Sequence, residues 1–134
     1  MTSHATSPSP SRWSDNTTVI VGIGVDLVDV ARLERALLRA PQLAERLFTP
    51  REGALPLRSL AARFAAKEAV AKVLGSPGDL SWSDVEVVTG EHGEPHVLVS
   101  GRAAERAADR GITTWFISLS HDGGMAIAMV VAST

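Results

Sequence analysis

Residues 63–75 read RFAAKEAVAKVLG, and this run decides the fold. Its apolar positions recur at helical spacing, and Gly75 with the following SPGD stops it, so it ends a long helix over about residues 59–74. It also holds the only two lysines of the chain, Lys67 and Lys72; every other basic side chain is arginine. Lysine presents a compact, rotatable ammonium that serves as a point-charge ligand for phosphate. The pair also admits a plain reading, in which Glu68 and Lys72 form an i, i+4 contact worth about 0.3–0.5 kcal/mol.

On a helical wheel Leu60, Phe64 and Leu74 form one apolar stripe, with Arg63 and Lys67 on one flank and Glu68 and Lys72 on the other. A plain surface helix segregates its charges opposite the apolar face. Charges that border the stripe on both sides are placed to reach inward, towards a cleft or a neighbouring subunit. One glutamate with several cations suits a phosphate ester bound through Mg²⁺, which prefers one or two carboxylates plus phosphate oxygens.

Outward from this helix the period changes. Residues 85–89 and 96–100 alternate around EHGEP and predict a β-hairpin. Residues 102–110 form an alanine-rich helix ended by Gly111, and residues 115–120 and 125–132 are strands joined by HDGG. Towards the N-terminus, residues 19–25 (VIVGIGV) predict a buried strand that Asp26 ends. Asp29 then caps a helix to about Arg39 that carries Val30, Leu33 and Leu37, and Pro41 breaks it. A short helix, QLAERLF, follows, and TPRE (residues 49–52) is a capping box with proline at the first helical position. The order β-ααα-ββ-α-ββ predicts an α+β domain over residues 18–134, a mainly antiparallel sheet packed on the long helix. Residues 1–17, rich in Ser, Thr and Pro, predict a disordered extension.

Composition excludes several classes. At 134 residues the chain has room for one core. A formal charge of −2 and a pI near 6.1 argue against nucleic-acid binding. Without cysteine there is no disulfide, thiolate nucleophile or cysteine-ligated metal. No apolar run is long enough to cross a bilayer, and the N-terminus lacks the apolar core of a secretory signal, so a cytoplasmic protein with no membrane partner is expected.

Asp26, beside the glycines of GIGVD, suits a metal or phosphate ligand because those glycines let a backbone approach a ligand; the alternative is a turn aspartate capping the next helix. Leu27 stands where a dinucleotide fingerprint needs its third glycine, which excludes that motif. Ser120 and His121 end a strand in ISLSHDGG. As strand neighbours they face opposite ways and form no hydrolase triad, but His121 suits either a phosphate contact, acid–base work or a structural role. His92 and His96 lack the further ligands a metal site needs. Arg32, Arg35 and Arg39 fall within about 60° on the first helix, either a solvated face or a docking stripe for an acidic partner.

Taken in order, GIGVDLVDVARLE, LFTPRE, LAARFAAKEAVAKVLG, VEVVTGEHGEPHVLVSGRA and ISLSHDGGMAIAMVVA resemble the small, single-domain 4′-phosphopantetheinyl transferases of the holo-acyl carrier protein synthase type, from residue 19 to the end. The resemblance implies a homotrimer with active sites between subunits. It implies transfer of the phosphopantetheine arm of coenzyme A to a serine of apo-acyl carrier protein, with Mg²⁺, releasing adenosine 3′,5′-bisphosphate. It makes Asp26 and Glu68 metal ligands, Lys72 a pyrophosphate contact, and Arg32 a carrier-protein contact. It puts His121 in the coenzyme A site, where Arg63, Lys67, Gly75 and Ser120 are also expected. Two departures stand out: GSPG (residues 75–78) replaces the GTG-like turn common in the family, and residues 1–17 are extra. The same carboxylates and lysine would also serve a Mg²⁺-dependent nucleotide pyrophosphatase or a non-catalytic nucleotide-binding oligomer.

Overall fold

The computed structural model describes residues 17–75 and 78–134. Strand β1 (Ile20–Asp29) leads into helix α1 (Val30–Arg39), then two short helices, α2 (Leu43–Leu47) and α3 (Pro50–Gly53), and the long helix α4 (Leu57–Leu74). A 3₁₀ turn (Trp82–Asp84) enters the hairpin β2 (Val85–Thr89) and β3 (Pro95–Val99), followed by α5 (Gly101–Asp109), β4 (Thr114–Asp122) and β5 (Met125–Ser133). All strand pairs are antiparallel; a three-stranded sheet runs β1-β5-β4 and the hairpin stands beside it as a second sheet. This is the α+β architecture expected. The extension over residues 1–17 lies, apart from its last residue, outside the described residues, as do residues 76–77 of the GSPG turn.

Local chemistry sets these boundaries. The Asp29 carboxylate accepts from the Arg32 amide and starts α1. The Thr49–Glu52 capping box is complete in both directions, but it opens the separate one-turn helix α3, not the long helix. At the end of α4, Gly75 takes the left-handed conformation, φ +64°. The first strand is longer than its apolar run: it continues to Asp29, so Asp26 sits within β1, paired with Ala128, and not at its end.

The long helix corrects the single-stripe reading. Leu60, Ala61, Ala62, Ala65, Ala66, Ala69, Val70, Val73 and Leu74 are all buried, so α4 is wrapped on most of its circumference. Alanine makes this possible because its small side chain lets the strands approach closely. The helix lies on the inner face of the sheet, where Ala126, Ala128, Val130 and Ala132 of β5 are fully buried. The glycines of GIGVD face the helix, not a ligand. A Cβ on Gly24 would stand 2.2 Å from the Ala69 carbonyl oxygen, and one on Gly22 would stand 3.0 Å from Val73 Cγ1.

Lys67 is the largest fully buried side chain, and Glu52 lies beside it at 1% exposure. The ammonium pairs with Glu52 Oε1 at 2.7 Å and donates to the carbonyls of Trp82 (3.1 Å) and Val85. Glu52 also accepts from the Thr49 amide (3.0 Å) and, through Oε2, from the Val87 amide (2.8 Å). Burial draws the Lys67 ammonium below the ordinary lysine range, and Glu52 offsets part of that. Removing one member of such a pair strands a buried charge, a loss of about 3–5 kcal/mol. Urea unfolding at fixed protein concentration should therefore show Glu52→Ala destabilised by about that amount. Glu52→Gln/Lys67→Met, which keeps an acceptor for Val87, should lose less; equal losses would mean that the charge pairing contributes little.

Candidate active site

Three of the candidate residues converge at the β1 edge of the sheet. Asp26, on the inner face of β1, meets Lys72 at 3.0 Å, and the same ammonium donates to the Val25 carbonyl at 2.9 Å. Glu68, one turn earlier on α4, faces the same place. Its carboxyl is held above the ordinary glutamate range, first by burial and then by the charge of Asp26, with Lys72 pulling the other way. A Glu68 carboxyl that feels the charge of Asp26, with Lys72 the one ammonium beside them, makes a site short of positive charge.

Asp26 and Glu68 line a cleft of about 470 Å³ together with Arg32 and an apolar wall that includes Leu33, Leu43 and Leu47. Phe64 and Trp82 close one side, with ring centroids 5.4 Å apart and planes at 59°. Among the described residues no group of three or more His, Asp or Glu comes together as a metal cage. Asp26 and Glu68, which line one cleft and feel each other electrostatically at Glu68, are the donor set that suits Mg²⁺, an ion that takes one or two protein carboxylates and leaves its other positions to water and phosphate.

His121, Ser120 and Arg63 lie elsewhere. They line a second cleft of about 330 Å³ with Ser59, Ala62 and Leu119. Register shows why the two clefts are separate. His121 pairs with Ala126, which pairs with Val28, while Asp26 pairs with Ala128, which faces Leu119 across β5. Both residues are thus on the inner face but on opposite edges of the sheet, two strand spacings across and two residues along, about 12 Å apart, with α4 packed above. Arg63 is almost wholly buried; one nitrogen donates to Thr89 Oγ1 at 3.0 Å, while Nε has no partner among the described residues. Burial works against its charge and Glu52 offsets this in part.

Two of the expected cofactor contacts lie away from both clefts. Lys67 has its ammonium taken up by Glu52 and two carbonyls inside the core, so it does not face either cleft. Gly75 is the C-cap of α4; its carbonyl accepts from Arg106 at 3.3 Å, and it lines neither cleft. Of the arginine stripe, Arg32 reaches the first cleft, while Arg35 and Arg39 stay exposed on α1 without lining it. Sequence reasoning missed Glu52, whose capping box was the one available signal, and the aromatic wall of Phe64 and Trp82, which share no motif.

The raised Glu68 carboxyl has a consequence for stability. A carboxyl whose folded value lies above its unfolded one binds the proton more readily when folded, so its ionisation costs stability at neutral pH and that cost fades as pH falls through the folded value. Without divalent cations, Glu68→Gln should therefore melt higher than the parent at pH 7, and the gap should close on acidification. A thermal-shift series across pH checks this; a variant that melts lower at pH 7 would remove the repulsion argument.

Comparison with known proteins fits this layout. A family model described as the 4′-phosphopantetheinyl transferase superfamily matches residues 22–130. The holo-acyl-carrier-protein synthase of Clavibacter michiganensis subsp. michiganensis is 58% identical over 113 residues, covering 84% of this chain and 95% of that protein. The crystal structure of Helicobacter pylori holo-acyl-carrier-protein synthase in complex with coenzyme A superposes with a TM-score of 0.74 at 33% identity, covering 83% of this chain and 99% of that one. The Plasmodium yoelii acyl carrier protein synthase with ADP bound gives a TM-score of 0.80 at 28% identity over 88% of this chain and 98% of that one. Matched along most of its length by one family model and by relatives of similar size, the chain belongs to the 4′-phosphopantetheinyl transferase superfamily.

Proposed function

We propose that this chain transfers the 4′-phosphopantetheine arm of coenzyme A to a serine of an apo-acyl carrier protein and releases adenosine 3′,5′-bisphosphate. The observation that carries the reading is the cluster of Asp26, Glu68 and Lys72, in which the two carboxylates line the first cleft and Lys72 pairs with Asp26, in a chain whose relative of 58% identity is a holo-acyl-carrier-protein synthase. Asp26 and Glu68 would hold Mg²⁺, which when bound neutralises charge on the pyrophosphate. The serine oxygen attacks the phosphorus bearing the pantetheine arm, the P–O bond to the nucleotide breaks, and its electron pair leaves on the bisphosphate. The serine proton passes through a water held by the carboxylate pair onto one of those carboxylates, with His121 as the second choice of base. Lys72, half exposed and anchored on the Val25 carbonyl, supplies the point charge that stabilises the leaving phosphate. The chain's share of the work is positioning and charge neutralisation.

The coenzyme A site is completed by a second copy of the chain. Arg63, Ser120 and His121 line one cleft and carry the donors an acidic nucleotide needs. They sit at the edge of the sheet opposite the carboxylates, so one protomer presents two half-sites. The outer sheet face supports the same assembly. Ile23, Val25, Leu27 and Phe116 are each at least half exposed, and Ile127 and Met129 stand between them on β5. So large an apolar face on a sheet marks an interface, and a homotrimer that buries it would bring one protomer's His121 edge to another's Asp26 edge. Arg32, Arg35 and Arg39 on α1 form the docking stripe for an acidic carrier protein, with Arg32 next to the reacting centre. A coenzyme A-dependent reaction and the lack, among the described residues, of a helix able to cross a membrane suit the cytoplasm.

Incubation with coenzyme A, Mg²⁺ and an apo-carrier protein should add the phosphopantetheine mass to the carrier. Cleavage of coenzyme A without carrier would instead identify a pyrophosphatase, and binding without turnover a non-catalytic module. Subunit mixing tests the shared site: Glu68→Gln and His121→Ala should each be inactive alone, while protomers of the two remixed from dissociating conditions should regain activity through hybrid sites. Light scattering showing a monomer at micromolar concentration, or hybrids with no recovery, would confine the site to one chain.

A further inference from the structure

We propose that Gly24 is a positioning residue that sets the separation of the two carboxylates; the inference rests on the assignment of Asp26 and Glu68 as metal ligands. Gly24 lies on the inner face of β1, opposite Val130, where α4 crosses. A Cβ built there would stand 2.2 Å from the Ala69 carbonyl oxygen, 3.0 Å from its carbonyl carbon and 3.1 Å from Val73 Cγ2. To bring the first of these to the 3.0 Å that real Cβ atoms respect, the helix and strand backbones have to part by most of an ångström. The obstacle is backbone within a helix, which has no rotamer to change.

This close approach falls where it matters for the site. Glu68 immediately precedes Ala69, and Asp26 is two residues on from Gly24, on the same face of the strand. The tightest crossing of α4 over β1 therefore sits beside both carboxylates. Mg²⁺ holds its oxygens at about 2.0–2.1 Å with little tolerance, so a shift of that size is enough to cost the pair a shared ion. Gly22 is the internal control. It lies on the same seam, but its added Cβ would meet only a side chain, Val73 Cγ1 at 3.0 Å, and no backbone atom of the helix. Glycines kept only for packing predict that a methyl at either position weakens the fold and leaves metal binding alone.

Mn²⁺ binding followed by electron paramagnetic resonance separates the two, because it reads the carboxylates without turnover. The parent should bind Mn²⁺ and Glu68→Gln should not; a parent without Glu68-dependent binding would overturn the metal assignment itself. With that in place, Gly24→Ala should weaken Mn²⁺ binding by about tenfold or more, and Gly22→Ala by less than about twofold, the range expected when groups that orient a ligand are disturbed. Because Gly24→Ala strains the core, Gly24→Ala/Val73→Ala removes the neighbouring side-chain contact while leaving the carbonyl clash, and should fold yet still bind Mn²⁺ weakly. Parent-like binding in the double variant would overturn the proposal. So would equal weakening by Gly22→Ala, or a double variant that does not fold, since Gly24 would then serve the fold as a whole.

Discussion

One buried ion pair ties the parts of this domain together. Glu52 closes the capping box of α3, accepts from the Val87 amide of β2, and holds the Lys67 ammonium that rises from α4. Lys67 in turn donates to the carbonyls of Trp82 and Val85, where the chain turns into the hairpin. The connection, the long helix and the second sheet thus meet at two side chains that are wholly out of water. Charges so placed need every donor and acceptor satisfied, which makes the arrangement all-or-none. Thr49 extends the network outward by donating to Glu86, which Arg51 also grips at 2.6 Å. The polar centre therefore fixes how the hairpin stands relative to α4, and with it the position of Arg63, whose partner Thr89 ends β2.

A second constraint acts on the other side of the helix. Alanines on α4 and glycines on β1 remove the side chains that normally hold a helix off a sheet, and the two backbones come together at Gly24 and Ala69. Close approach carries Glu68 and Lys72 down onto the plane of Asp26. The burial of Glu68, and after it the charge of Asp26, is a local cost of the fold, visible in the raised Glu68 carboxyl, which Lys72 only partly relieves. A charge-deficient cluster on an otherwise well-packed seam is where function is expected, since packing alone would select neutral residues there.

Much of this was legible in the sequence, for physical reasons that differ by element. The hairpin followed from alternation around a polar turn, and the last two strands from apolar, β-branched runs on either side of HDGG. Helix α1 followed from its cap and its single buried stripe at Leu33. The long helix was found but misread: a wheel shows which residues share a face, not how many faces are covered, and a helix of alanines can be enclosed all round. The same limit explains Lys67. Its place beside the apolar stripe suited a phosphate ligand, whereas its partner, Glu52, is near in space only after α3 folds back. The aromatic wall of Phe64 and Trp82 was invisible for the same reason, and the division of the site between two edges of the sheet depends on the β1-β5-β4 order, which local periodicity does not encode.

The two lysines can now be told apart, and the difference explains why neither is arginine. An ammonium has three donors that rotate freely, whereas a guanidinium has five in a fixed plane. In the core Lys67 meets three acceptors, Glu52 Oε1 and the carbonyls of Trp82 and Val85, so its donors match its partners one for one. A buried guanidinium there would bring donors with nothing to bind. Lys72, five residues on and so about 140° round the helix, meets only two acceptors, the Val25 carbonyl and Asp26 Oδ1, and 56% of its side chain remains exposed. Its third N–H is left for something the described residues do not supply. The same residue type thus closes a network in one place and leaves one open in the other, and the open one stands beside the carboxylate pair, where a phosphate oxygen would complete it.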